Sequence, residues 1–298
     1  MLNLVVNYSE RIDKYIANNS DISRNDIKVL IDEGYVFVND KQITKCSFVV
    51  KEEDNIQITK LLDKKMHLEG QNIALDIVYE CDDYIIINKP SGMVVHPAPG
   101  HKESTLVNAL MYRFENNLSN VNGTLRLGIV HRIDKDTSGL LIVAKNNETH
   151  NYLAKLLKEH KIQRTYYAIC DGKIENKFIN LELPIGRDSK DRKKYCVTET
   201  NSKYAFTSIE VKDYILIDGK IKTFIKCNLK TGRTHQIRVH LAYIKHPVYG
   251  DPIYNKEIDA FGQRLHAGEL RFIDSKGVEQ TFISPLPKKF QEDLKNKI

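Results

Sequence analysis

The residues best suited to chemistry sit in one stretch, Gly128 to Lys145. Two apolar runs, Ile129-Val130 and Leu140 to Ala144, flank a polar insert, His131 to Gly139. Apolar runs of this length beside a turn signal predict buried strands. The insert holds two carboxylates (Asp134, Asp136), two cations (Arg132, Lys135), one histidine and two hydroxyls. A loop that only reverses the chain needs a glycine and a couple of polar residues. So much charge beside buried strands points to function. Asp134 or Asp136 is a candidate nucleophile or general base. Such a group must be ionised and held in place, and a neighbouring arginine favours the charged form. Arg132 is one candidate neighbour. An isolated Asp-Lys-Asp more often decorates a turn, so the argument depends on what other segments bring to this loop.

Three further stretches supply partners. In Leu229 to Ile244, Thr231-Gly232 reads as a turn, and Thr234 is placed to cap a helix with the apolar stripe Ile237, Leu241 and Ile244. Pro247 closes that helix. Arg233 and Thr234 then lie at its positive end, with His235 and Arg238 in the first turns. This makes an anion site for a phosphate or for a carboxylate such as Asp134. His235 and His240 are five apart, not the four that shares one helix face, so no metal site is expected. Arg164 to Gly172 predicts a strand ending in a turn, and its aromatics beside cations suit stacking on RNA bases. Pro184 to Lys194 holds five Lys/Arg and two Asp, including Arg187, Arg192 and Lys193, and suits phosphate contacts. Over residues 151–194, eleven cations oppose six anions.

The elements that position these groups divide into two parts. Residues 1–60 alternate short helices and strands. Ile12, Tyr15 and Ile16 have helical spacing, and a second helix buries Ile27, Leu30 and Ile31, with Ser23 as N-cap and Gly34 as its end. Strands follow at Tyr35 to Val38, Phe48 to Val50 and Ile56 to Ile58. Polar residues 61–72 read as a linker. Strand patterns resume from Ile73, an ordered loop spans Asn88 to Gly100, and a helix from Leu106 is capped by Ser104 or Thr105. Tyr152, Leu153, Leu156 and Leu157 mark another helix. Strands and helices do not alternate strictly, which predicts an α+β fold. The 298 residues carry a net charge of +6, which permits nucleic-acid binding without requiring it. Five scattered cysteines with no Cys-x-x-Cys pair argue for a reducing, cytoplasmic setting without disulfides. No apolar run is long enough for a membrane span, and the N-terminus lacks a secretory pattern.

Taken together, the four stretches resemble the RNA pseudouridine synthases of the RluA/RluD family. The resemblance rests on Ile87-Asn-Lys-Pro-Ser-Gly-Met-Val-Val-His-Pro, Gly128 to Lys145, Pro184 to Lys194, Lys230 to Pro252 and Leu265-His-Ala267. Arg164 stands where that family commonly has lysine. Residues 1–60 resemble the RNA-binding domain named after ribosomal protein S-four. That likeness places Arg24, Lys28 and Lys41 on an RNA-facing surface, although the segment holds eight Lys/Arg against ten Asp/Glu. The family resemblance implies a mainly antiparallel catalytic domain over 73–298 behind the small α/β RNA-binding domain. It implies that uridines, with large-subunit ribosomal RNA favoured by the RluD-like branch, are flipped out and isomerised without cofactor or metal.

The resemblance also implies roles. Asp134 is the catalytic aspartate, Tyr166 packs against uracil and is placed to help remove the C5 proton, and Arg238 partners Asp134, with Arg233 second choice. Arg132 fills the space of the extruded base, and Asp136 bonds the Thr137-Ser138-Gly139 turn. Arg187, Arg192, Lys193 and Arg233 contact RNA. A monomer is the default assembly. Two alternatives are a non-catalytic RNA-binding or ribosome-assembly protein and an aspartate-based phosphatase. The first lacks a use for the Asp134, Tyr166 and Arg238 set. The second is disfavoured because His131 and Arg132 interrupt the apolar run before Asp134.

Overall fold

The computed structural model describes residues 2–20, 22, 24–60, 68–97, 101, 103–115, 117–121 and 127–298. The chain forms two compact units, Met1–His67 and Leu68–Ile298. Within the described residues no helix is long and apolar enough to cross a membrane.

In the first unit, helices Ile12–Asn18 and Arg24–Asp32 lie beside a four-stranded sheet that includes Val36–Val38 and Asn55–Ile58. The spacing of Ile12, Tyr15, Ile16, Ile27, Leu30 and Ile31 puts all six into one core with Val36, Val38, Ile56 and Ile58. Ser23, the expected cap, lies outside the described residues, as do 61–67 of the expected linker. Residues 68–72 are fastened to the second unit. Leu68 packs on its core, Gln71 N donates to Asn108 O at 2.9 Å, and Asn108 Nδ2 donates to Glu69 O at 2.9 Å.

The second unit is α+β and mainly antiparallel. Among the described residues its large sheet has nine strands. In order they are Phe178–Glu182, Phe206–Ile217, Lys220–Leu229, Gln163–Asp171, Leu265–Ile273, Ser138–Ala144, Tyr84–Lys89 and Ile77–Glu80, with Glu279–Ile283 also on Leu265–Ile273. Strand Ser138–Ala144 is buried along its whole length because both faces are covered. Leu141 and Val143 face the core with helix Leu106–Phe114, while Leu140 and Ile142 face the core with helix Asn147–Lys158. Two-sided burial explains why the run reads as unbroken apolar sequence rather than alternating. Thr105 caps helix Leu106–Phe114 through a capping box with Asn108.

One expected strand does not form. Ile129-Val130 is not a strand, and Ile129 makes a single bridge to Val143. The reason is the shared edge of Ser138–Ala144. One side is filled by Tyr84–Lys89, and the other is taken at its start by the only parallel pairing of this sheet's described strands, Ser138 with His266 and Gly139 with Ala267. Between these contacts the Ile142 amide donates to His131 Nε2 at 3.1 Å, so an imidazole substitutes for a strand neighbour. Burial pushes this imidazole down to about 3, keeping it the neutral acceptor that the bond needs.

The parallel contact also fixes Gly139. Its φ is 113°, and a Cβ there would sit 2.6 Å from the Ala267 nitrogen. Gly139→Ala is therefore expected to destabilise the protein by about 3 kcal/mol, from overpacking and a disfavoured backbone. Urea unfolding measures this; a midpoint equal to that of the wild type contradicts the close approach.

Candidate active site

The insert between His131 and Gly139 is held by its backbone. Thr137 N donates to Asp134 O at 3.2 Å, closing the turn. Ser91 Oγ donates to Asp136 O at 2.8 Å, and Gly92 N donates to Lys135 O at 2.9 Å. Lys89 is fully buried, and its Nζ donates to Pro90 O at 2.7 Å and to Met93 O and Lys135 O at 2.9 Å. Burial pushes this amine down to about 7 against the pull of Asp136 and Asp134. Three carbonyl acceptors call for three N–H donors, which only the ammonium has, so the charged form fits the cage. Gln263 Nε2 donates to Thr137 Oγ1 at 2.6 Å, and Ser138 Oγ meets His266 Nδ1 at 2.8 Å. The expected bonding of the turn by the Asp136 carboxylate is absent among the described residues. The Asp134 carbonyl does that work, because a backbone oxygen already faces the Thr137 amide.

This scaffolding leaves the Asp134 side chain free to face a pocket. Arg238 Nη1 donates to Asp134 Oδ2 at 2.9 Å. Arg238 is itself braced from behind by fully buried Asp251, through Nε to Oδ2 at 2.6 Å and Nη2 to Oδ1 at 2.8 Å. The amides of Ile253 and Tyr254 also donate to Asp251 Oδ1, at 2.8 and 3.1 Å. Burial disfavours the Asp251 charge, but Arg238 and these amides more than offset it and hold the carboxyl below its ordinary range.

The helix carrying Arg238 runs Gln236–Tyr243, and Thr234 does not cap it. His235 occupies the cap position in a left-handed conformation, φ 57°. The side chain of Gln236 holds the turn instead. Its Oε1 accepts from Thr231 Oγ1 at 2.7 Å and Arg233 N at 3.0 Å, and its Nε2 donates to Phe206 O at 2.9 Å. His235 Nδ1 lies 2.9 Å from the Tyr254 hydroxyl, which accepts from Tyr195 N at 2.9 Å. The other ring nitrogen, Nε2, lies 3.9 Å from Asp134 Oδ2.

Asp134, Tyr166, Arg238, Arg132 and Arg233 all line this one pocket, together with Ile133, Arg164 and Leu265. Tyr166 is 7% exposed and sits where strand Gln163–Asp171 shifts register against Leu265–Ile273. Burial raises its phenol, Arg164 opposes that, and Asp134 adds to it. Arg233, the second-choice partner, does not pair with Asp134; its Nε donates to Tyr204 O at 2.8 Å. Arg187, Arg192 and Lys193 lie on the hairpin joining Ile185–Arg187 to Tyr195–Val197, where Arg187 binds Arg192 O and the Tyr195 hydroxyl, both at 2.9 Å. In the first unit Arg24 binds Asp13, Lys28 binds Asp32, and Lys41 is exposed. Two of those three cations are thus already paired. No group of three or more metal-ligating side chains occurs among the described residues.

Asp251, Tyr254, Gln236 and Lys89 were not identified from sequence. Asp251 had a signal, an acid held between Gly250 and Pro252. Lys89 had one too, a cation ending the isoleucine run of Tyr84–Lys89.

Comparison with known proteins bears on these residues as a set. Residues 83–243 match the family described as RNA pseudouridylate synthase, and residues 10–56 match the S4 domain. The chain is 43% identical over 292 residues to an RNA pseudouridine synthase of Bacillus subtilis, covering 97% of this chain and 94% of the relative. It is 38% identical over 295 residues to ribosomal large subunit pseudouridine synthase D of Zymomonas mobilis, covering 94% and 92%. The solved structure of human RNA pseudouridylate synthase domain containing 1 matches with a TM-score of 0.61 at 28% identity, covering 72% of this chain and 85% of the human chain.

The bracing of Arg238 has a measurable consequence. Asp251→Asn is expected to cost about 3–5 kcal/mol at neutral pH, because it removes one partner of a buried charge pair. The folded-state pKa of Asp251 is depressed, so its contribution is fully present above the ordinary carboxylate value, begins to fall below it, and is lost as pH drops through the lower folded-state value. The gap between wild type and variant in denaturant unfolding should therefore shrink between neutral pH and about pH 3. A gap that is constant with pH contradicts the ion pair.

Proposed function

Because the chain belongs to the RNA pseudouridine synthases, we propose that Asp134 is its catalytic aspartate and that its substrate is uridine in large-subunit ribosomal RNA. The name of the Zymomonas relative favours that RNA class. The observation that carries the reading is a carboxylate held by an arginine that a second, buried carboxylate immobilises, facing a pocket walled by a tyrosine. Isomerisation breaks the N1–C1′ bond, rotates the uracil, joins C5 to C1′, and exchanges the C5 proton for one on N1. A glycosidic carbon inside a stacked helix is hard to reach, so the nucleotide is extruded, at a cost of about a few kcal/mol.

Four of the pocket residues have a part in this. Asp134 acts at the reacting nucleotide, and Arg238 fixes the direction of its carboxylate. Tyr166 offers a face for the uracil, and stacking of this kind returns about 1–3 kcal/mol. Burial keeps its phenol protonated, which favours packing over removal of the C5 proton. Arg132 is exposed at the pocket rim, where it can enter the space left by the extruded base. The exposed cations of the 187–195 hairpin contact phosphates. The S4 unit contributes a local patch centred on Lys41, because Arg24 and Lys28 are engaged by Asp13 and Asp32.

RNA tritiated at uridine C5 tests the assignment, since isomerisation releases that label to water. The wild type should release tritium from large-subunit ribosomal RNA, and Asp134→Asn should slow release by roughly a thousandfold or more. Release by Asp134→Asn at the wild-type rate rejects the catalytic role, and release from transfer RNA alone rejects the substrate class.

A further inference from the structure

The pocket contains a cation that the described residues do not neutralise. Arg164, near the start of strand Gln163–Asp171, is only 9% exposed. Other deeply buried cations are matched. Arg238 has Asp251 and Asp134, Arg264 has Asp259 and Asp293, Lys222 has Asp171 and Glu257, and Lys89 has its three carbonyls. Arg164 has no hydrogen bond or ion pair among the described residues, and its Nε is buried and unbonded. The groups that feel its charge are the neutral His131 ring and the Tyr166 phenol. Nε is shut off from water, while the two Nη groups, also without a bond among the described residues, open on the pocket. A largely desolvated cation that nothing neutralises is a ready site for an anion arriving from outside.

Room for the guanidinium is built into the sequence. A Cβ on Gly232 would lie 2.6 Å from Arg164 Nη1 and 3.5 Å from Cζ. The glycine of the Thr231-Gly232 turn therefore leaves the space that this side chain fills. Asp134, the pocket's carboxylate, is already engaged by Arg238. We propose that Arg164 binds a backbone phosphate of the RNA at the reacting nucleotide, an inference that rests on the pocket reading above. A phosphate matches the planar fork with two parallel N–H···O bonds and supplies the missing charge. A uracil carbonyl would satisfy one donor and leave the charge buried.

The test measures binding of a large-subunit ribosomal RNA transcript, tritiated at uridine C5, by the full-length protein across a salt series. Arg164→Met should weaken binding roughly tenfold to a hundredfold at low salt. It should also reduce the slope of log affinity against log salt by about 0.7–0.9, the value of one lost phosphate contact. Arg164→Lys should keep the wild-type slope. Gly232→Ala should push the guanidinium aside and flatten the slope in the same way, with no added effect in the Arg164→Met background. An unchanged slope in Arg164→Met overturns the proposal, as does an additive effect of Gly232→Ala. If Arg164→Met does not fold, a wild-type slope in Gly232→Ala overturns it by itself. Tritium release by wild type and Asp134→Asn, read from the same samples, scores the catalytic assignment separately. The phosphate contact can therefore fail while that assignment stands, and the reverse.

Discussion

The arrangement depends on one charge sequence, Asp251 to Arg238 to Asp134. A lone buried arginine would be unstable, and a lone carboxylate at a pocket wall would be free to rotate. Asp251 removes both problems, because its two oxygens take Nε and Nη2 of Arg238 and leave Nη1 aimed at Asp134. The Arg238 side chain is only 3% exposed and Asp251 is fully buried, so solvent screens the pair little. A bidentate arginine–carboxylate pair fixes direction as well as distance. The geometry of Asp134 is thus set by a residue that lies behind the pocket wall.

The fold delivers these three groups from separate places. Asp134 hangs from a loop whose backbone is tied to Lys89, Ser91 and Gly92 on one side and whose next two side chains are tied to Gln263 and His266 on the other. Arg238 rides on the short helix Gln236–Tyr243, anchored through Gln236 to Thr231 and Phe206. Asp251 follows that helix, and its carboxylate organises the turn that holds Tyr254. Tyr254 in turn links the Tyr195 backbone, and so the basic hairpin, to His235. The hairpin and the Asp134 pocket therefore share a hydrogen-bonded support.

Much of this was legible in the sequence, for physical reasons. The run Leu140 to Ala144 could be read as strand because it is buried on both faces, the helix Leu106–Phe114 from its cap residues, and the helix Asn147–Lys158 from apolar periodicity. The approach of Arg238 to Asp134 was implied by the family resemblance; the residues alone gave an anion site at that helix start, open to a phosphate or a carboxylate. What escaped was set by tertiary contact. Ile129-Val130 has strand composition but finds the neighbouring edge already shared. Thr234 has cap chemistry, yet Gln236 reaches back to hold the turn and His235 takes the cap position. Asp251 carried only the weak signal of an acid in a turn, because its partner is distant in sequence and no local pattern encodes it. The resemblance placed Arg24 and Lys28 on an RNA-facing surface without indicating that Asp13 and Asp32 lie against them.

The central claim is that Asp251, which never reaches the pocket, governs the chemistry of Asp134 through Arg238. The most direct measurement is single-turnover tritium release by folded Asp251→Asn, set beside its affinity for the same RNA. If Asp251 acts by aiming Arg238, release slows markedly while RNA affinity stays near the wild-type value. A folded Asp251→Asn protein that releases tritium at the wild-type rate would contradict the account.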